Sequence, residues 1–177
     1  MKSIIISGSR NSKGQTATAA SALAEGLADS GFLVQTVFLP ELKIERCRQC
    51  DDAGWGECRT KGACVIDDDF ESLAGKIKES DMVIFATPVY FSDLSESLRA
   101  FLDRLRRVAI HNKFTENKKA VGICVAGGGG GGSQECSDNL NYILETAGFN
   151  VVKIFPVRRQ NLNEMLPVLR EFGRKIK

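Results

Sequence analysis

The chain has 177 residues, of which 43% are apolar, 26% charged and 7% aromatic. These fractions match soluble globular averages and exclude a disordered chain; a chain of this length buries roughly 70% of its unfolded surface, enough for one domain over residues 1–177 without staples. Lys plus Arg number 24 against 22 Asp plus Glu, and a net charge of +2 is too weak a bias to argue for nucleic acid or an anionic membrane as partner.

The chain opens on a strand-like segment, residues 2–7, that turns straight into a Gly/Ser loop and is too short for a signal peptide. Further strands are expected at residues 32–39, 82–87, 120–126 and 150–157. The first helix carries Ala17, Ala20, Leu23, Ala24 and Leu27 on one face. Residues 40–66 then form a long Cys-rich insertion. The second helix opens at Asp68, with Glu71 completing a capping box, and buries Phe70, Leu73 and Ile77. The third has the cleanest stripe: Leu94, Leu98, Phe101, Leu102, Leu105 and Val108. The fourth carries Leu140, Ile143, Leu144 and Ala147 and stops at Gly148. The last carries Met165, Leu166, Leu169, Phe172 and Ile176. Pro167 is placed within its first turn, because a proline further in would break it. The basic residues of segment 151–177 read as a solvated helix face. The longest apolar run, about residues 82–91, is half of the ~20 residues a membrane helix needs. The expected setting is therefore cytoplasmic and reducing, with no membrane and no structural disulfides.

Strict β-α alternation argues an α/β three-layer sandwich around a five-stranded parallel sheet. Strands one, three and four are almost wholly apolar, as strands buried on both faces must be. Gln35 and Thr36 mark the second strand as an edge, and Lys153 marks the fifth. The resulting order is 2-1-3-4-5, which places a ligand crevice beyond the C-terminal ends of strands one and three.

Three loops converge on that crevice. Gly8-Ser9-Arg10-Asn11-Ser12-Lys13-Gly14-Gln15-Thr16 runs directly into a helix, whose N-terminus offers free N–H groups and partial positive charge. In composition it is a monophosphate cradle. It is not a triphosphate loop: five residues separate Gly8 from Gly14, and Gln15 stands where the lysine should be. The alternative is an ordinary capped turn. Thr87-Pro88-Val89-Tyr90-Phe91-Ser92-Asp93 stays apolar and aromatic on leaving its strand. It suits a flat ring system, with plain core packing of Val89, Tyr90 and Phe91 as the alternative. The six consecutive glycines of residues 127–132 are costly to order, and placing them at the crevice mouth gives a reason for them. A phosphate at one end and a planar ring at the other describe FMN.

With these motifs, together with Phe101-Leu102-Asp103-Arg104, the chain resembles the flavodoxin-like superfamily over nearly its whole length. It is nearest the NAD(P)H-dependent FMN reductase and iron–sulfur flavoprotein branch. The resemblance implies that Ser9, Arg10, Ser12, Gln15 and Thr16 hold the FMN phosphate. It implies likewise that Pro88, Val89, Tyr90, Phe91, Gly127, Gly128 and Gly129 line the isoalloxazine. It further implies a homodimer or homotetramer with the flavin near a subunit interface.

Cys47, Cys50, Cys58 and Cys64 are spaced C-x2-C-x7-C-x5-C within 18 residues. Four thiolates so close point to an iron–sulfur cluster, a tetrahedral zinc, or else metal-free thiols or a redox disulfide. The resemblance implies a compact four-cysteine motif in this same connection, with a shorter middle spacing than is found here. Cys124 and Cys136 read as packing residues, and His111, the only histidine, as a surface residue. No catalytic side chain is needed, since a flavin takes hydride while the protein supplies position and electrostatics. The expected activity is NAD(P)H-dependent reduction of flavin, quinone or another small acceptor. The alternative is an FMN electron carrier, with or without a cluster, that serves a redox partner protein and does not itself oxidise nicotinamide.

Overall fold

A computed structural model describes residues 1–176; Lys177, the last residue of the basic segment, lies outside the described residues. The strands are β1 (Lys2–Ser7), β2 (Leu33–Phe38), β3 (Met82–Pro88), β4 (Lys119–Ala126) and β5 (Asn150–Arg158). The helices are α1 (Gln15–Asp29), α2 (Glu57–Thr60), α3 (Phe70–Glu79), α4 (Glu96–Asn112), α5 (Ser133–Thr146) and α6 (Leu162–Lys175). All strand pairings are parallel and the order is β2-β1-β3-β4-β5, the flavodoxin-like arrangement expected from strand polarity. No described helix is long and apolar enough to cross a membrane.

Alternation along the central strands sends side chains to opposite faces. Ile4, Ile6, Val83 and Phe85 meet Phe70, Leu73, Phe101 and Leu140 from α3, α4 and α5. Ile5, Ile84, Val121 and Val125 meet Leu23, Leu27 and Leu169 from α1 and α6. The two helices on this second face touch backbone to backbone, since a Cβ on Gly26 would overlap the Arg170 carbonyl. The Gly26→Ala variant is therefore expected to lose about 1–3 kcal/mol of stability in urea unfolding, despite alanine's better helix propensity. Basic residues of α6 pair with α1 at the surface, Arg170 with Glu25 and Arg174 with Asp29, in keeping with a solvated face.

Three details of the helix ends differ from expectation. No capping box forms on α3. Asp68 does accept from the Phe70 amide at 3.1 Å, but its carboxylate is chiefly occupied by Arg104. Leu94 is buried, yet it precedes α4; the N-cap is Ser95, whose side chain accepts from the Leu98 amide. Pro167 falls in the second turn of α6, not the first. The half-buried stripe of that helix opens at Leu162, its first residue, one turn before the Met165 at which the sequence reading began it. Pro167 and Asn163 are both exposed, so water can take the carbonyl that the proline leaves unbonded. Gly148, at φ +90, follows the α5 cap as expected.

Candidate functional site

The loops after β1, β3 and β4 leave the same edge of the sheet and are tied together there. The Gly8 amide donates to the Ala86 carbonyl at 2.8 Å, and Ser97 Oγ donates to the Gly8 carbonyl at 3.2 Å. A Cβ on Gly8 would overlap Ser95 Oγ and lie 2.9 Å from Leu98 Cβ, so only glycine lets the first loop press against the start of α4. Beyond it, Ser9 Oγ accepts from the Asn11 amide at 3.2 Å and donates to the Asn11 carbonyl at 3.1 Å. The Gly14 amide bonds the same carbonyl at 3.1 Å, closing a tight turn. No side chain caps α1, which leaves its first N–H groups available to an anion. Thr16 is buried at that end, Gln15 is half-buried and Ser12 is exposed. None of these three side chains makes a hydrogen bond among the described residues. Arg10 is exposed and pairs with Glu96 at the start of α4, so its charge is directed there rather than over the helix end.

In the second loop the buried Thr87 hydroxyl donates to the Pro88 carbonyl and accepts from the Ser95 amide, both at 2.9 Å. This fixes the exit of β3 against the start of α4. Tyr90 and Asp93 exchange amide–carbonyl bonds of 3.0 and 2.9 Å across Phe91 and Ser92. Those two residues have φ of +50° and +63°, the signature of a two-residue type I′ turn. A bulky residue pays about 1–2 kcal/mol in that region. Yet Phe91 is fully exposed (106%) and Tyr90 is 48% exposed. Core packing is thus not their role. Val89 is half-buried, and its amide donates to the Val125 carbonyl of β4 at 2.9 Å.

The glycine run supplies a bare wall. Gly127, Gly128 and Gly129 are exposed, and a Cβ at any of them would meet nothing within 4 Å. Gln160 Nε2 holds the Gly128 carbonyl at 2.7 Å, and Asn139 Nδ2 donates to Asp93 at 2.9 Å, joining α5 to the aromatic turn. The sequence-predicted cradle, aromatic turn and glycines therefore share one rim.

Cys47, Cys50, Cys58 and Cys64 line a second cleft together, walled by Trp55, Ile66, Arg104, Arg107 and Val108. All four are free thiols. Among the described residues, no three metal-ligating side chains converge closely enough to hold a metal ion. The donor set suits a thiophilic metal centre and shares one cleft, but the sulfurs must draw together to take it. Trp55 stacks between Arg107 (4.7 Å) and Arg59 (5.7 Å), and Arg107 also donates to the Gly54 carbonyl at 2.6 Å, binding this insertion to α4. His111 is exposed at the end of α4, as expected.

The sequence reading missed what holds this cleft. Arg104 is only 1% exposed. It grips Asp68 with two bonds, of 2.6 and 2.9 Å, and lies 4.2 Å over the Phe70 ring. It also donates to the Glu45 carbonyl at 3.0 Å and to Cys64 Sγ at 3.3 Å. The available signal was a charged residue inside the apolar stripe of Phe101, Leu105 and Val108. Burial opposes both charges, but it is outweighed. Hydrogen bonds to Asp68 and Cys64 raise the Arg104 pKa, and bonds from Arg104 and the Glu45 and Phe70 amides hold Asp68 below the usual carboxylate value. A depressed folded pKa gives stability that is complete above the unfolded value and lost as pH falls through the folded one. Acid unfolding followed by circular dichroism should therefore show a loss below about pH 4 that Asp68→Asn removes. In the core, a hydrogen bond to Cys124 and burial push the Cys136 thiol far up, so Cys136 stays protonated; both cysteines are fully buried, in agreement with a packing role.

A family model described as NADPH-dependent FMN reductase matches residues 1–160. An iron-sulfur flavoprotein of Archaeoglobus fulgidus is 32% identical over 148 residues, covering 84% of this chain and 64% of that protein. One from Methanosarcina thermophila is 30% identical over 124 residues, covering 70% of this chain and 62% of that protein. The chain thus spans less than two-thirds of the length of these relatives. In fold it is similar to an NAD(P)H:quinone oxidoreductase from Methanothermobacter marburgensis, with a TM-score of 0.74 over 98% of this chain and 94% of that one at 21% identity. The match takes in β1 and the turn after it, the cysteine insertion, the aromatic loop and β5, and the chain belongs to the NADPH-dependent FMN reductase family.

Proposed function

We propose that this protein is an FMN-dependent oxidoreductase that uses NAD(P)H to reduce flavin, quinone or another small acceptor. The observation that carries the reading is the shared rim: an uncapped helix start, an outward aromatic turn and a bare glycine wall at one sheet edge. Ser9, Ser12, Gln15, Thr16 and the first amides of α1 would hold the phosphate, with Arg10 alongside. Pro88, Val89, Tyr90, Phe91, Gly127, Gly128 and Gly129 would line the ring. Bound there, FMN supplies hydride and electron transfer. The chain's own part is to neutralise the phosphate, seat the ring against backbone and aromatic surface, and exclude water from one face. Exposed Tyr90 and Phe91 beside the rim support a homodimer or homotetramer that covers them. Free cysteines support a reducing, cytoplasmic setting. Residues 1–177 act as one FMN-binding domain in this reading, with residues 40–66 as its insertion.

The cysteine cleft favours a second element of the function. Cys47, Cys50, Cys58 and Cys64 would hold an iron–sulfur cluster, which makes transfer to a redox partner protein the alternative to small-acceptor reduction. Two measurements test both. The absorption spectrum of anaerobically purified protein, with iron and acid-labile sulfide assays, is expected to show flavin and cluster together; zinc or no metal would remove the cluster. Steady-state oxidation of NAD(P)H with added flavin or quinone is expected to turn over, and a protein that never oxidises nicotinamide is a carrier.

A further inference from the structure

A guanidinium buried in an apolar helix stripe is expensive unless paired. Asp68 alone, in two-bonded geometry, would neutralise Arg104. The structure gives this side chain more to do. Its Nη2 also reaches Cys64 Sγ at 3.3 Å, and its Nε is buried without a partner. A purely structural ion pair requires neither feature. Arg104 lines the cleft together with all four cysteines, so its surplus donor capacity lies at the wall where sulfurs would gather. Its other contacts are placed to the same effect. Glu45 precedes Cys47 by two residues, and Asp68 follows Cys64 by four. One side chain on α4 therefore ties down both ends of the cysteine segment, and Cys64 is fixed against the helix while Cys50 stands exposed.

Thiolate ligation concentrates negative charge, and hydrogen bonds to ligand sulfurs together with nearby cations raise the reduction potential of a cluster. We propose that Arg104 is the positioning residue of the thiolate site: it holds Cys64 as the fixed ligand onto which the other three cysteines close, and its hydrogen bond to that sulfur raises the potential of the centre. This role rests on the reading that the four cysteines hold an iron–sulfur cluster.

The test uses the full chain, purified anaerobically and reconstituted with ferrous iron and sulfide, as wild type, Arg104→Met and Arg104→Lys. Iron, sulfide and FMN are assayed per chain, and the cluster potential is read by spectroelectrochemical titration. Arg104→Met is expected to retain several-fold less iron, to shift the remaining cluster to a more negative potential and to leave FMN content unchanged. Arg104→Lys is expected to recover part of the iron but not the potential, because a single ammonium cannot both hold Asp68 in two bonds and reach Cys64. A folded Arg104→Met with wild-type iron and potential overturns the role, as does one that is less stable but unshifted in potential. Should Arg104→Met fail to fold, Arg104→Lys decides alone, and a wild-type potential in it overturns the role. A wild type that takes up no iron overturns the cluster reading and this role with it. Iron in the wild type with indifferent Arg104 variants overturns this role only.

Discussion

Asp68→Ala is expected to cost about 3–5 kcal/mol of folding free energy, measured by urea unfolding at neutral pH. The size follows from burial. The side chains of Arg104 and Asp68 are 1% and 5% exposed, so solvent does little to screen their attraction. Removing the carboxylate leaves a cation in the core with only a carbonyl, a thiol and an aromatic face around it. Removing both charges is a different experiment. Asp68→Ala combined with Arg104→Met should cost clearly less than the sum of the single changes, because no uncompensated charge remains. A simple sum would mean that the two groups do not act as a pair. The same substitution should loosen residues 45–64, since Arg104 then loses the anchor that orients it toward Glu45 and Cys64.

The second large effect belongs to the cradle. Ser9→Ala combined with Thr16→Ala is expected to weaken FMN binding by at least the roughly 1.5–3 kcal/mol of the one hydrogen bond to a charged group that Thr16 is free to give. This corresponds to a rise in Kd of roughly 10–150-fold or more, readable by titrating apoprotein with FMN and following flavin fluorescence. The two hydroxyls act differently. Thr16 is buried at the open end of α1, with its hydroxyl uncommitted among the described residues. Ser9 is tied to Asn11 by two hydrogen bonds, so its loss also slackens the turn that presents the amides. Thr16→Ala alone should therefore lower affinity without altering stability, whereas Ser9→Ala should lower both. Unchanged FMN affinity in the double variant would place the phosphate elsewhere.

Much of this molecule is written in local sequence. The order of the sheet was legible because a strand buried on both faces must be almost wholly apolar, and only β1, β3 and β4 are; Gln35, Thr36 and Lys153 give away the edges. Once the order is known, topology dictates which loops meet, so the Gly/Ser turn after β1, the aromatic loop and the glycines could be assigned to one rim from sequence. Helix starts were less legible. Leu162 stands alone among polar neighbours, so the apolar stripe was read from Met165 although it opens at Leu162, and Pro167 was placed a turn too early in its helix.

What remained was decided by contacts between residues distant in sequence. Asp68 has the sequence of a helix cap, yet its carboxylate is claimed by Arg104, 36 residues away. Local pattern cannot report that competition, because the stronger partner is a buried cation supplied by another helix. The aromatic loop is similar: a short apolar stretch is equally compatible with core and surface. Only the pairing of Tyr90 with Asp93, which forces Phe91 into a left-handed turn, shows that its ring points to solvent. Spacing could likewise mark the four cysteines as a set, but not that they wall a single cleft with a buried guanidinium behind Cys64. Sequence alone thus determined the sheet and its rim, because burial acts on each residue in its own strand. Tertiary structure decided the charges and the exposed rings, because their cost or gain depends on which neighbour the fold delivers.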